Sequence, residues 1–188
     1  MRTPYHYALV ALDGANNRSP ASETTATPVA AASATALAFN GTSQYVTFGP
    51  APGLNAANFT LEAWVKWTGG GVGTSTGYGG IANAIPIITK GRAELDAPAN
   101  LNMDYFLGID ASSGRLVGDF EDTADGSNHP VAGTTALTTN AWHHVAATYD
   151  GTTWRLYLDG ILDKTLSVGA FTPESTSIQH AALATAMD

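Results

Sequence analysis

Residues 142–160 read W-H-H-V-A-A-T-Y-D-G-T-T-W-R-L-Y-L-D-G, two alternating runs joined by Asp150-Gly151 and followed by a second Asp-Gly pair at Asp159-Gly160. Alternation at period two puts successive side chains on opposite faces of an extended strand, and Asp-Gly supplies the positive φ that tight hairpins demand. A chain with this segment contains an antiparallel β-meander. The same period runs from Phe59 to Trp67, with Phe59, Leu61, Ala63, Val65 and Trp67 on one face and Thr60, Glu62, Trp64 and Lys66 on the other. Further strands are predicted at Leu37–Phe39, Tyr45–Phe48, Pro86–Lys90, Tyr105–Ile109, Leu116–Phe120 and Ile161–Leu166, with turn signals such as Asn40-Gly41 between them. Short strands spaced in this way predict an all-β, antiparallel two-sheet sandwich.

Charge narrows the partners. Eight Lys plus Arg against sixteen Asp plus Glu give a net charge of −8. Such a surface does not hold nucleic acid phosphates or an anionic bilayer, so neutral sugars, cations and proteins remain. The chain has no Cys, so stability in an oxidising compartment would come from core burial or a bound ion. No apolar run approaches the roughly 20 residues that cross a bilayer, so no membrane insertion is expected. The Met-Arg-Thr-Pro start lacks the apolar stretch of a signal peptide, which leads to the expectation of a fragment whose export signal lies elsewhere.

The segments A-L-A-F-N-G, F-T-L-E-A-W-V-K, I-I-T-K-G, Y-F-L-G-I-D, W-H-H-V-A-A-T-Y-D-G and W-R-L-Y-L-D-G follow one another between Ala36 and Asp188. In that order they resemble laminin-G-like and pentraxin-like domains of the concanavalin A-like jelly-roll class. The resemblance implies a jelly-roll sandwich of the lectin/glucanase type in an extracellular binding or adhesion module. Residues 5–28, Y-H-Y-A-L-V-A-L-D-G-A-N-N-R-S-P-A-S-E-T-T-A-T-P, resemble the last two strands of a fibronectin type III domain. The expected organisation is therefore a fibronectin-like tail at 1–28, a small-residue linker at 29–35 and the jelly-roll at 36–188. The resemblance also implies one or two central strands beyond Leu183–Asp188, so a truncated sandwich is expected. Tyr5–Ala11 is expected to lie across the vacant edge, in the same chain or in a neighbouring copy, and open edges allow self-association.

The pentraxin-like resemblance implies a Ca2+ site with Asn102 and Asp104 on one side and Asp188 at the edge of the other. Calcium takes six to eight oxygens, which these three cannot supply alone. The acidic run Asp119–Gly126 is a second oxygen-rich stretch, equally well explained by turn formation. His143 and His144 are adjacent in a strand and point to opposite faces, so they do not grip one ion. A retaining glycosidase needs paired carboxylates, at i and i+2 or i+4 on one strand face; Glu62 has Trp64 and Lys66 there. For stacking on a pyranose the candidate ligand-binding residues are Trp67, Tyr78, Tyr105 and Trp154, with Trp67 and Tyr78 flanking the glycine-rich loop 69–80, whereas Trp64 and Trp142 are expected in the core. These readings converge on a secreted or cell-surface, non-catalytic module that binds a glycan or extracellular protein. A structural subunit of a β-sandwich fibre built by strand exchange is the alternative, and a polysaccharide-degrading enzyme domain comes third.

Overall fold

The structure is a computed structural model and describes residues 5–9, 22–26, 36–93 and 102–187. The chain divides into two compact units, Met1–Ala38 and Phe39–Asp188. In the first, β1 (Tyr5–Leu9) and β2 (Ser22–Ala26) form a two-stranded antiparallel sheet of their own. The strand expected to reach a sandwich edge has β2 as a hydrogen-bonding partner, in register from Tyr5 opposite Ala26 to Leu9 opposite Ser22. Residues 10 and 11 of that expectation lie outside the described residues.

The second unit is the two-sheet antiparallel sandwich. Its strands are β3 (Val46–Thr47), β4 (Phe59–Lys66), β5 (Ala84–Lys90), β6 (Tyr105–Asp110), β7 (Arg115–Asp119), β8 (Val131–Ala136), β9 (Trp142–Tyr149), β10 (Thr153–Leu158), β11 (Ile161–Ser167) and β12 (Ala181–Leu183). A four-stranded sheet runs β11-β10-β9-β4 and a six-stranded sheet runs β3-β12-β5-β6-β7-β8. The Asp150-Gly151 and Asp159-Gly160 turns join β9, β10 and β11 as a meander. Strand β12 sits between β3 and β5. The predicted strand at Leu37–Phe39 does not form, and both apolar side chains are exposed.

Between the sheets lie Phe59, Leu61, Leu107, Phe120, Val145, Tyr149, Trp154 and Leu156. Phe59, Phe120, Tyr149 and Trp154 form an aromatic knot with ring centroids 4.5–6.0 Å apart, a spacing that favours tilted and edge-to-face contacts. Trp154 has no exposed surface and donates its Nε1 hydrogen bond to the carbonyl of His129 at 2.9 Å. Tyr105 is also buried, its hydroxyl donating to the carbonyl of Leu54. Neither ring can meet a sugar face, which corrects their place among the ligand-binding candidates. Trp64 and Trp142 carry the opposite correction: they are 66% and 51% exposed on the outer face of the four-stranded sheet. Trp64 stands opposite His144 in the register and Trp142 opposite Lys66, so strand parity puts both outside.

One flank of the sandwich is tied. Asp163 on β11 accepts the amides of Thr134 and Thr135 on β8 and the Thr134 hydroxyl, at 2.8–3.1 Å. A Cβ at residue 133 would stand 2.3 Å from the Asp163 carboxylate, so only glycine admits this approach.

Candidate functional site: the outer face of the six-stranded sheet

Strands β6 and β7 are buried almost throughout instead of alternating, because this sheet is covered on both faces. Leu107, Ile109 and Leu116 face the sandwich core, while Ile81, Ala84, Met103, Phe106 and Val117 form a second apolar cluster. Strand parity carries Asp119 and then Glu121 onto the side of Val117, and neither has exposed surface.

The Asp119 carboxylate is fully engaged. One oxygen accepts the amides of Phe120 and His129 at 2.9 and 3.0 Å, and the other accepts the Thr76 hydroxyl at 2.6 Å and the Asn128 amide at 3.1 Å. Burial pushes its pKa up to about 7, while these four donors pull the other way. Glu121 accepts the amide of Met103 at 2.5 Å, and Asn128 Nδ2 lies 3.5 Å from its other oxygen. Asn128 also donates to the Thr76 carbonyl at 2.9 Å. These contacts fasten the loop of residues 74–81 to β7. Its base is closed by paired hydrogen bonds between Thr76 and Ile81, and a Cβ at residue 80 would lie 2.3 Å from the Thr76 hydroxyl. Between Gly77 and Gly79, both with positive φ, the loop lifts Tyr78 to 95% exposure.

Asp119 and Glu121 are carboxylates at i and i+2 on one strand face, the arrangement sought at Glu62. The sequence reading missed it because Asp-rich runs are the ordinary text of turns, and here the run opens on a buried strand end. A carboxylate offers about four lone-pair sites, and Asp119 has filled four with protein donors. Its geometry is that of a brace for the loop.

Among the remaining site candidates, Trp67 is half-buried and donates its indole N–H to the carbonyl of Gly70 at 2.8 Å, at the other end of the glycine-rich loop. Asn102 is half-buried, Asp104 is completely buried, and Asp188 lies outside the described residues. Asp104 Oδ2 accepts the amide of Ala56 at 3.1 Å, but Oδ1 has no partner, and nor does the buried Oδ1 of Asn55, the residue before that donor. Burial pushes Asp104 up to about 7 against the pull of the Ala56 amide and the Lys90 charge. Lys90 is itself buried, and its ammonium donates to the carbonyls of Pro50, Ser177 and Gln179 at 2.6, 3.2 and 2.9 Å. Two orphaned oxygens suit a hard cation, although among the described residues no three His, Asp, Glu or Cys gather into a metal cage. His143 and His144 divide as parity requires. His143 bonds Asp159 at 2.8 Å, and His144 faces outward against Trp64.

No curated protein sequence matches this chain. Among solved structures it is similar to the CBM40 of the IT-sialidase of Ruminococcus gnavus bound to α2,3-sialyllactose, at 17% identity, covering 68% of this chain and 63% of that one, TM-score 0.46. It is also similar to the carbohydrate-binding module CBM66 of Bacillus subtilis, at 15% identity, covering 70% and 74%, TM-score 0.39. A third is the Crh5 transglycosylase in complex with NAG, at 14% identity, covering 74% and 48%, TM-score 0.36. The chain therefore spans less than two thirds of the first of these structures. The family model for laminin G domains of the concanavalin A-like lectin/glucanases superfamily matches residues 40–184. With two antiparallel sheets, the meander of β9, β10 and β11 and that match over most of its length, the chain belongs to the concanavalin A-like lectin/glucanases superfamily.

Proposed function

We propose that the chain is a non-catalytic carbohydrate-binding module of a secreted or cell-surface protein, preceded by the closing strands of a fibronectin type III-like unit. The glycan is bound over the glycine-rich loop, with Tyr78 as the stacking platform and Trp67 bracing the loop's far end. The observation that carries this reading is the 95% exposure of Tyr78 on a loop fastened to the sheet by Asp119 and Asn128. A tyrosine side chain, with only two χ angles to order, gives binding area at low entropic cost. The non-catalytic part of the proposal is supported by Asp119, whose lone-pair sites are taken up by four protein donors.

A glycan array followed by calorimetry on the best ligand tests this reading. Tyr78→Ala weakens binding about tenfold or more, the scale of one lost aromatic contact, with the melting temperature unchanged. Binding that survives the substitution, or sugar release that one point mutation of this chain abolishes, rejects it.

Calcium is proposed at a second place, with Asp104 as the charged ligand and the Asn55 oxygen as the amide ligand in place of Asn102. When bound it would supply charge to neutralise a buried carboxylate and tie residues 55–56 to the start of β6. Millimolar calcium then raises the melting temperature, since a ligand of the native state stabilises it by mass action. Asp104→Asn removes the shift, and identical melting with calcium and with chelator rejects the proposal.

A further inference from the structure

The four-stranded sheet ends on β4, and among the described residues β4 has a strand neighbour on one side only. It is paired with β9 without a register shift from Phe59 opposite Tyr149 to Lys66 opposite Trp142. An eight-residue edge with no bulge and no proline leaves a straight ladder of N–H and C=O groups open, which natural sheets ordinarily blunt. Alongside it a shallow pocket opens onto Leu54, Phe59, Leu61 and Tyr105.

The side chains of this edge are self-complementary. Thr60, Glu62, Trp64 and Lys66 project on its outer face. If two copies of β4 meet antiparallel about a two-fold axis at Trp64, Glu62 falls opposite Lys66 of the other copy, twice, and the two exposed indoles lie side by side. Sliding the register by two residues either way puts Trp64 opposite Glu62 or Lys66 and loses the charge pairs, and sliding it by four puts Glu62 opposite Glu62 or Lys66 opposite Lys66. Opposite charges directly across a ladder stabilise it and like charges destabilise it, so one register is selected. A two-fold pairing of identical strands also closes on itself, which gives a dimer and not a fibre.

We propose that β4 is a homodimer interface, in which two chains pair antiparallel through Phe59–Lys66 with Trp64 at the axis and Glu62–Lys66 pairs on either side. The two four-stranded sheets then run on as one continuous sheet. The dimer carries two copies of the module on one rigid body, which suits a multivalent ligand.

The test is sedimentation or light scattering of the full chain over a concentration series, with circular dichroism to confirm folding. The wild type is expected to be dimeric. Lys66→Glu places Glu against Glu62 at both ends of the ladder and weakens the dimer about tenfold or more, while the double variant Glu62→Lys with Lys66→Glu restores it to within about threefold. The restoring swap separates loss of the pairing from a general defect. A monomer at all concentrations, a dimer indifferent to Lys66→Glu, assembly beyond a dimer, or failure of the swap to restore it overturns the proposal.

Discussion

Asp104 shows how one side chain couples burial to pH. Its pKa stands at about 7 in the folded chain against an ordinary 3.8, because burial disfavours the carboxylate. The folded state therefore holds this proton over a range where the unfolded chain has released it. Stability contributed by the protonated form is present below about pH 4 and is lost as pH rises to about 7. Asp119 shifts in the same direction. Asp110, Asp122 and Asp163 are held below the ordinary value, so below about pH 4 they act the other way. In calcium-free buffer the melting temperature should fall between pH 4.5 and 7.5. In Asp104→Asn that fall should be shallower and the value at pH 7.5 higher by a few degrees, because a neutral amide carries no buried charge. Equal slopes for the two proteins would show that Asp104 does not titrate in this window.

At the scale of elements, Lys90 is the knot of the six-stranded sheet. It leaves the end of β5 and joins the loop before β4 to the segment leading into β12, through the carbonyls of Pro50, Ser177 and Gln179. Lys90→Met keeps the bulk and abandons three carbonyls, two of them on the buried residues Ser177 and Gln179, with a loss of about 3–5 kcal/mol expected in urea titration, the range for breaking a buried charged network. The meander, β4 and β6 were legible from the sequence because alternation and Asp-Gly turns are local signals. Strands β8 and β12 were not, since V-A-G-T-T-A and A-A-L carry little periodic contrast and pair only because neighbours hold them. Leu37–Phe39 failed in the reverse sense: its pattern is a strand's, but the structure offers it no ladder. The candidate site was half legible. The glycine-rich loop and Tyr78 stand out in the text, but the brace between Asp119 and Thr76 joins residues 43 positions apart and no spacing encodes it. Tyr105 and Trp154 were misread because nothing in a short aromatic strand says which of its rings faces inward until its neighbours are placed.

For the whole molecule, the two flanks of the sandwich are unlike. On one, Asp163 clasps β11 to β8 across the sheets. On the other, β4 and β3 are the outermost strands of their sheets. Amides at a sheet edge usually exchange with solvent quickly. Those of Thr134 and Thr135 should exchange slowly because a carboxylate holds them, and Asp163→Ala should release both without hastening exchange in β6 at the centre of its sheet. Rapid exchange of the two amides in the wild type would show that the clasp does not hold in solution. A sandwich clasped more firmly along one flank than along the other has a direction of weakness. Pulled apart by shear on a surface-tethered protein, it would part first along the free margin at β4 and last at Asp163, so the flank that meets a second copy would also be the flank where mechanical load is first felt.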